Sequence, residues 1–191
     1  SLEKAGVCVS IHRCDVGDRP SLAQLLAEIR RETTLRGVFH LAGVLDDGVL
    51  TEQTRERFDR VMASKMLGAW HLHELTQADP LDLFVLFSSA ASMLGSPGQG
   101  NYAAANAFLD ALAHHRRWEK RPALSVNWGS WAEVGMAARL GNAEGRRMSA
   151  AGMGAIEPAK GLRTLEQLLA EECVQTGVLP IDWPKFFERI P

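Results

Sequence analysis

Cysteine is scarce in this sequence, and the few cysteines are not spaced for cross-linking. There are three in 191 residues, Cys8, Cys14 and Cys173, and no two of them form a C-x-x-C pair. A disulfide framework needs an even set of cysteines and a structural zinc site needs closely spaced ligands, so neither is favoured. We therefore expect buried free thiols in a protein of the reducing cytoplasm.

An excess of charge of one sign is also lacking. The 21 Lys and Arg residues are set against 23 Asp and Glu residues, and no run of basic residues is longer than a pair. The formal net charge of −2 offers no positive surface for a nucleic-acid backbone. We expect no nucleic-acid partner.

Long apolar runs are absent as well. The apolar stretches are short, such as residues 83–87, whereas a membrane-spanning helix needs about 20 apolar residues. The N-terminal residues also lack the basic region and apolar stretch of a signal peptide. We expect no membrane association and a cytoplasmic location.

The histidines lack the spacing of metal ligands. His71 and His73 are two residues apart, which on a helix directs them to different faces, and His114 and His115 are adjacent. The sequence therefore predicts no metal site.

Short apolar runs alternate with longer stretches of helical periodicity over residues 1–191, which we take as one domain or part of one. Strands are predicted at 6–11, 36–41, 83–87, 122–127 and 177–181, and helices from Pro20 and at 51–78, 101–118 and 157–172. Residues 128–153, rich in Gly, Ala and Met, are predicted to form a lid. The alternation predicts an α/β fold with a doubly wound parallel sheet.

Four polar residues stand where this pattern does not require them: Lys65, Ser89, Tyr102 and Asn106. Ser89 follows the strand predicted at 83–87, and ligands of open parallel sheets bind beyond the carboxyl ends of the strands. Tyr102 and Asn106 are four residues apart and share a helix face. Lys65 interrupts an apolar helical stripe.

Carbonyl reduction would use these four groups together. Lys65 could lower the pKa of the Tyr102 phenol so that it donates a proton, and Ser89 could hydrogen-bond the carbonyl oxygen. Asn106 could hold a water between Lys65 and solvent. Taken singly, each has an ordinary alternative, since a lysine is usually solvated, a serine after a strand is usually a turn residue, and a tyrosine often packs in a core.

Three segments resemble the ketoreductase domains of modular type I polyketide synthases, members of the short-chain dehydrogenase/reductase superfamily. They are FVLFSSAAS at 84–92, GQGNYAAANAFLDALA at 98–113 and SVNWGSW at 125–131, and the likeness extends from about Asp15 to IDWP at 181–184. The resemblance implies a Rossmann-type fold and the catalytic set Lys65, Ser89, Tyr102 and Asn106. In the wider superfamily a lysine commonly occupies the position of Asn106, and this exchange is a mark of the ketoreductases.

The resemblance also implies a stereochemical type. Leu45-Asp46-Asp47 looks like the Leu-Asp-Asp fingerprint of B-type ketoreductases, which form the D-configured β-hydroxyl. Pro97, Asn101 and the absence of tryptophan at Leu94 fit the same type, and Ala104 favours the subtype that does not epimerise. The alternative for Asp46-Asp47 is a solvated turn or a helix cap before Thr51.

The resemblance implies NADPH as cofactor, bound by residues near three predicted strand ends. These are Asp15, Val16, Leu41, Ala42, Gly43, Asn127, Trp128 and Gly129. No G-x-G-x-x-G-like loop for the pyrophosphate occurs in the sequence. We therefore expect a partial domain that lacks the family's first two strands and Gly-rich loop, which would leave the strand at 6–11 without a neighbour and open an edge on the strand at 36–41.

The leading hypothesis is an enzyme that reduces a β-ketoacyl thioester carried on an acyl carrier protein. Its partners would be that carrier protein, the N-terminal part of the same domain and neighbouring synthase domains. Two alternatives stay open at this point: a structural fragment without activity of its own, and a free-standing short-chain dehydrogenase.

Overall fold

Four parallel strands form a single sheet in the order β1-β2-β3-β4. The computed structural model describes residues 3–133, 149–150 and 152–188. In register, Val38 of β1 pairs with Phe84 of β2, and Ser89 of β2 pairs with Trp128 of β3. The strands are β1 (Gly37–His40), β2 (Leu83–Ser89), β3 (Leu124–Trp128) and β4 (Gln175–Val178).

Seven α-helices connect and flank the strands in the described part of the chain. The first begins where Asp18 accepts a hydrogen bond from the Ser21 N–H and Pro20 occupies the first turn. A π-helical turn, Ala63–Leu67, joins the second and third helices. The helices are α1 (Arg19–Glu32), α2 (Arg55–Met62), α3 (Gly68–Leu75), α4 (Ala91–Leu94), α5 (Gly100–Trp118), α6 (Pro158–Leu169) and α7 (Trp183–Phe187).

The central strand β2 separates two apolar cores. Because side chains alternate along a strand, Phe84 and Leu86 pack with α1, α3 and α5, whereas Val85 packs with β3 and α6. All three are almost completely buried. Helices therefore cover both faces of the sheet, which confirms the doubly wound α/β prediction.

The predicted strands other than the first are present, with ends shifted by a few residues. The strand predicted at 6–11 is wrong: these residues form no strand, and Ile11 is 94% exposed. The physical reason is that no described strand lies beside them to satisfy their backbone hydrogen bonds. The same reason leaves β1 paired on one side, with β2, in the described part of the sheet.

Three further predictions can be compared with the structure. The helix predicted at 51–78 is divided among a short 3₁₀ turn, α2, the π-helical turn and α3. The prediction of buried thiols is wrong for Cys8, which is exposed. Most of the predicted lid at 128–153 lies outside the described residues, and among the residues described no helix is long and apolar enough to cross a membrane.

The two cores give a prediction about stability. Leu109 of α5 is fully buried in the core that contains Phe84 and Leu86 of β2, whereas Leu162 of α6 is 62% exposed. Leu109→Ala should lower the free energy of unfolding by about 2–5 kcal/mol because it leaves a cavity. The matched change Leu162→Ala should stay within about 0.5 kcal/mol. Urea unfolding followed by circular dichroism measures both, and equal losses would contradict this assignment of the core.

Candidate active site

The four predicted catalytic residues meet at the carboxyl end of the sheet. Ser89 is the last residue of β2, and Tyr102 lies in the first turn of α5 with Asn106 one turn later. Lys65 comes from the π-helical turn between α2 and α3. Residues from three separate segments therefore converge where open parallel sheets bind ligands.

Lys65 is a buried lysine, with only 2% of its surface exposed. Its Nζ donates to the Phe87 carbonyl at 2.9 Å and lies 5.5 Å from the centre of the Tyr102 ring. Burial lowers the pKa of Lys65 to about 8, while the charge of Asp110 raises it by less. The ammonium group therefore loses its proton within the range in which many enzymes work.

Two features hold Lys65 in place. The Nε2 atom of His40 lies 3.1 Å from the Lys65 carbonyl and donates to it. Burial, helped by the nearby Lys65 charge, lowers the pKa of His40 to about 4, so its ring is neutral at pH 7. A Cβ atom on Gly43 would lie 2.9 Å from Lys65 Cε, so a larger residue at this position would displace the Lys65 side chain.

The electrostatics of Tyr102 differ from the sequence prediction. Burial raises the pKa of the Tyr102 phenol, and the charge of Asp47 raises it further, while side-chain interactions with Ser89 and Asn106 lower it. The prediction that Lys65 brings the pKa of Tyr102 below its ordinary value is therefore wrong for this structure, because desolvation is the larger effect. At neutral pH the phenol keeps its proton.

Asn106 is fully buried and only partly satisfied. Its Nδ2 donates to the Tyr102 carbonyl at 2.8 Å, and its own carbonyl accepts from Ser88 Oγ at 3.2 Å. Its Oδ1 has no hydrogen-bond partner among the described residues. A buried acceptor of this kind is a place for a water or a ligand group.

The predicted substrate-side residues form one connected loop beside Tyr102. Asn101 is fully buried, and its Nδ2 donates to the Asp46 carbonyl at 2.8 Å while its Oδ1 accepts from the Tyr102 N–H at 2.8 Å. Asp46 forms ion pairs with Arg57 at 3.1 Å and Arg60 at 2.6 Å. These ion pairs fix the Asp46 side chain to α2, so Asp46 does not belong to a solvated turn.

The rest of this loop is more open. Asp47 accepts from Gln99 Nε2 at 2.9 Å and is exposed. Leu45 is half-buried, and Leu94 and Pro97 are exposed. The exposed side chains of Asp47, Leu94 and Pro97 are accessible to a substrate, and Leu45 is partly accessible.

The predicted cofactor residues divide into two groups. Asp15 and Val16 precede α1, where Asp15 Oδ1 accepts from the Gly17 N–H at 2.8 Å and the Val16 carbonyl contacts His71 Nδ1 at 3.2 Å. Leu41, Ala42 and Gly43 directly follow β1. Both segments therefore lie beside the Lys65 turn with backbone available for contacts.

The second group is different, because its side chains point into the protein. Asn127 is fully buried and donates within a hydrogen-bond network, and Trp128 packs against Phe87 and Trp131 in the second core. The Gly129 N–H donates to the Val178 carbonyl at 2.9 Å. The Trp128 carbonyl likewise accepts from the Ala90 N–H at 2.9 Å, and contact of this segment with the cofactor stays a prediction.

The sequence reasoning missed Asp110, whose carboxylate lies at the centre of that network. Asp110 follows Tyr102 and Asn106 at the next i+4 position of α5, so this spacing was the available signal. Its two oxygens accept from Ser125 Oγ at 2.6 Å and Asn127 Nδ2 at 2.8 Å.

One group of potential metal ligands converges away from this site. His73, His115 and Glu119 place ligand atoms within 4.8 Å of one another. Arg116, however, donates to His73 Nδ1 at 3.0 Å, which leaves the proton of the neutral ring on the nitrogen that faces Glu119. That proton and the guanidinium charge make this group a poor fit for a cation.

Comparison with known proteins points to one family. Residues 1–133 match the family model described as KR domain. The polyketide synthase GfsB of Streptomyces halstedii is 51% identical over 170 residues, which are 88% of this chain and 3% of that protein. The spectinabilin polyketide synthase system protein NorB of Streptomyces orinoci is 51% identical over 173 residues, 90% of this chain and 8% of that protein.

Solved structures agree with these sequence matches. A structure of A-type ketoreductases from a modular polyketide synthase superposes with a TM-score of 0.91 at 46% identity, covering 97% of this chain and 39% of that one. The first ketoreductase of the tylosin polyketide synthase gives 0.87 at 41% identity, covering 97% and 40%. The chain thus spans about two-fifths of these solved ketoreductase chains.

The burial of Tyr102 gives a direct prediction. It is the only tyrosine in the sequence, so the phenolate absorbance that appears on raising the pH reports on this residue alone. The midpoint in the folded chain should lie above the ordinary value of 10.0, and it should return to that value in denaturant. Circular dichroism at each pH shows whether the chain is still folded. A folded midpoint at or below 10.0 would mean that Lys65 outweighs burial.

Proposed function

The chain belongs to the KR domain family, the ketoreductases of modular polyketide synthases, and on this premise we propose that it carries the catalytic centre of a β-ketoacyl reductase. The proposed reaction is the NADPH-dependent reduction of a β-ketoacyl thioester, held on an acyl carrier protein, to the D-β-hydroxyacyl thioester. The neighbouring synthase domains would deliver and receive that carrier protein.

The convergence of Lys65, Ser89, Tyr102 and Asn106 is the observation that carries this proposal. Three of them sit on elements that the sheet brings together, and Lys65 Nζ lies 5.5 Å from the Tyr102 ring. Burying a lysine to this degree costs free energy. Lysine is therefore rarely buried in this way without a function. A solvated surface lysine, the ordinary alternative for Lys65, does not account for its 2% exposure.

Tyr102 supplies the proton in the proposed reaction. A general acid must hold its proton before the reaction begins, and the raised pKa of Tyr102 satisfies that condition at neutral pH. Ser89 lies beside the phenol and donates to the carbonyl oxygen, which stabilises the negative charge that grows there. The Lys65 ammonium then favours the phenolate that proton transfer leaves behind.

In the proposed reaction, Asn106 helps to return a proton to Tyr102 after Tyr102 has donated its own. Its unpartnered Oδ1 is suited to accept a hydrogen bond from a water between Lys65 and solvent. Loss of Oδ1 should therefore slow re-protonation rather than substrate binding.

The described residues fit the reactive end of a nicotinamide cofactor. The backbone of Leu41–Gly43 after β1 and the end of β2 lie beside Lys65, and the buried Asn106 Oδ1 has no hydrogen-bond partner among the described residues. These residues would hold the ribose and nicotinamide, and NADPH when bound would supply the hydride. The preference for NADPH over NADH comes from the family resemblance.

A second candidate, a structural fragment without activity of its own, is favoured by the open edge of β1. Phe39 on this strand is 44% exposed and Leu41 after it is 57% exposed. The chain also covers only 39% of the first solved relative above. The assays below therefore use a completed domain, defined as this chain joined to the part of a ketoreductase domain that it does not cover, taken from a relative.

Tyr102→Phe tests the proposed reaction, because it removes a single oxygen atom. The completed domain should oxidise NADPH when given a β-ketoacyl thioester, and Tyr102→Phe should lower kcat by about 100- to 10,000-fold. NADPH affinity, followed by fluorescence titration, should change little. The 191-residue chain alone is assayed beside it.

The outcomes separate the two candidates. Activity in the completed domain with loss on Tyr102→Phe supports the reductase. A completed domain that folds and binds NADPH but reduces no thioester would favour the structural fragment. Near-normal turnover by Tyr102→Phe would remove the role of Tyr102 as proton donor.

Product chirality tests the B-type proposal, which rests on Leu45-Asp46-Asp47, Pro97, Asn101 and Leu94. The first solved relative above is described as A-type, so the two types make opposite predictions for this chain. We expect the D-β-hydroxyacyl thioester from the completed domain, measured by chiral chromatography. An L product would contradict the B-type proposal and leave the reductase proposal intact.

A further inference from the structure

Asp110 is a buried carboxylate without an ion-pair partner among the described residues. It is 8% exposed. It accepts from Ser125 Oγ at 2.6 Å and Asn127 Nδ2 at 2.8 Å, and Ser92 Oγ lies 2.7 Å from its Oδ2. Burial of a carboxylate is costly unless several donors satisfy it, and here α5, β3 and α4 each contribute to its surroundings.

The network of Asp110 reaches the turn that carries Ser89. Ser92 Oγ lies 2.8 Å from the Ser89 carbonyl as well as 2.7 Å from Asp110, and shares its single proton between these acceptors. Asn127 Nδ2 lies 2.8 Å from Ser92 Oγ and 3.4 Å from the Ser89 carbonyl. Asp110 therefore ties the Ser89 turn to β3 and to α5.

The orientation of Asn127 within this network is determined by its other contact. Gln175 Nε2 donates to Asn127 Oδ1 at 3.1 Å. The amide oxygen thus faces β4 and the amide nitrogen faces Asp110, so a negative acceptor at position 110 matches the donors presented to it. A neutral amide at 110 would keep one acceptor oxygen and turn the other oxygen into an NH2 group, which would face a group that donates in the present network.

The same helix face connects Asp110 to the proposed proton donor. Tyr102, Asn106 and Asp110 follow one another at intervals of four residues along α5, and Ser88 Oγ donates to the Asn106 carbonyl at 3.2 Å. A shift of α5 relative to β2 would therefore move Tyr102 relative to Ser89. The Asp110 network opposes such a shift at three points of contact.

The charge of Asp110 also acts on Lys65. Among the described residues, His40 of β1 and Tyr102 of α5 lie against Lys65, and the charge of Asp110 on α5 acts on the Lys65 pKa through space. His40 is neutral at pH 7 and Tyr102 keeps its proton there, as described above. Asp110 is thus the negative charge that favours the Lys65 ammonium, against the effect of burial.

We propose that Asp110 is a positioning residue of the reductase, which holds the Ser89 turn against the Tyr102 helix and adds a negative charge to the surroundings of Lys65. This inference rests on the proposed function for its catalytic consequence. The electrostatic part concerns the folded chain itself and can be measured without any turnover.

The first test is the titration of Lys65 in the 191-residue chain, followed by NMR with isotope-labelled lysine and assigned with a Lys65→Arg variant. Asp110→Asn should move the Lys65 midpoint below its value of about 8, because the favourable charge is lost. Ser125→Ala, which removes a hydrogen bond and keeps the carboxylate, is the matched control and should leave the midpoint in place. Asp110→Glu, which keeps the charge, should also leave it in place.

The direction of the change distinguishes this effect from unfolding. Loss of the fold would expose Lys65 and raise its midpoint towards the ordinary 10.5, whereas loss of the Asp110 charge lowers it. If Asp110→Asn does not fold, Asp110→Ser is the second neutral variant, since its hydroxyl can still accept a hydrogen bond. An unchanged midpoint in a folded neutral variant would overturn the proposal.

The second test is the pH dependence of turnover in the completed domain. Asp110→Asn should lower kcat by about 100-fold, with a smaller effect on KM, because it misplaces groups that act on the bound substrate. The Lys65 charge is lost as pH rises through its pKa, so the alkaline fall in kcat should also begin at lower pH than in the parent. Asp110→Glu should restore the position of that alkaline fall.

The two tests can contradict the proposed function and the role of Asp110 independently of each other. A completed domain without reductase activity would sink the proposed function, while the Lys65 titration would still decide whether the charge of Asp110 acts. A parent with normal activity whose alkaline limb is unmoved by Asp110→Asn would overturn the positioning role and leave the reductase proposal standing.

Discussion

The burial of the Lys65 ammonium is the constraint on which the rest of the site depends. A lone cation in an apolar interior is unstable, so its surroundings must supply acceptors and an opposing charge. The Phe87 carbonyl provides the acceptor at 2.9 Å, and the charge proposed to act on Lys65 is that of Asp110. The π-helical turn that carries Lys65 and the glycine at position 43 make room for the side chain between β1 and β2.

The helix α5 joins this cation to the proposed chemistry. Its face towards the sheet carries Tyr102, Asn106 and Asp110 in succession, so one rigid element sets the relative positions of a phenol, an amide and a carboxylate. At its N-terminal end Asn101 fastens the loop of Asp46 and Asp47 to the same helix. The groups proposed for proton transfer and for substrate selection are therefore attached to the same helix. Their relative positions stay fixed, as positional catalysis requires.

Much of the fold was predictable because apolar periodicity reports on burial. The central strand at 83–87 and the alanine-rich helix at 101–118 are present close to their predicted bounds. The strand at 6–11 has the same kind of sequence and forms no strand, because a strand also needs a neighbour. The burial of the Asn127 and Trp128 side chains was not predicted for a related reason: an end-of-strand position is visible in the sequence, but the direction of a side chain depends on the packing of both faces.

By itself the sequence determined the alternation of strands and helices after the wrongly predicted strand at 6–11, and it singled out Lys65, Ser89, Tyr102 and Asn106, because spacing along a chain indicates helix faces and strand ends. Only the tertiary structure decided how those residues are charged. Burial raises the pKa of Tyr102 and lowers that of Lys65, and desolvation depends on what packs around a group in three dimensions. The part played by Asp110 was decided in the same way, because its donors come from distant segments that meet only when the sheet and α5 assemble.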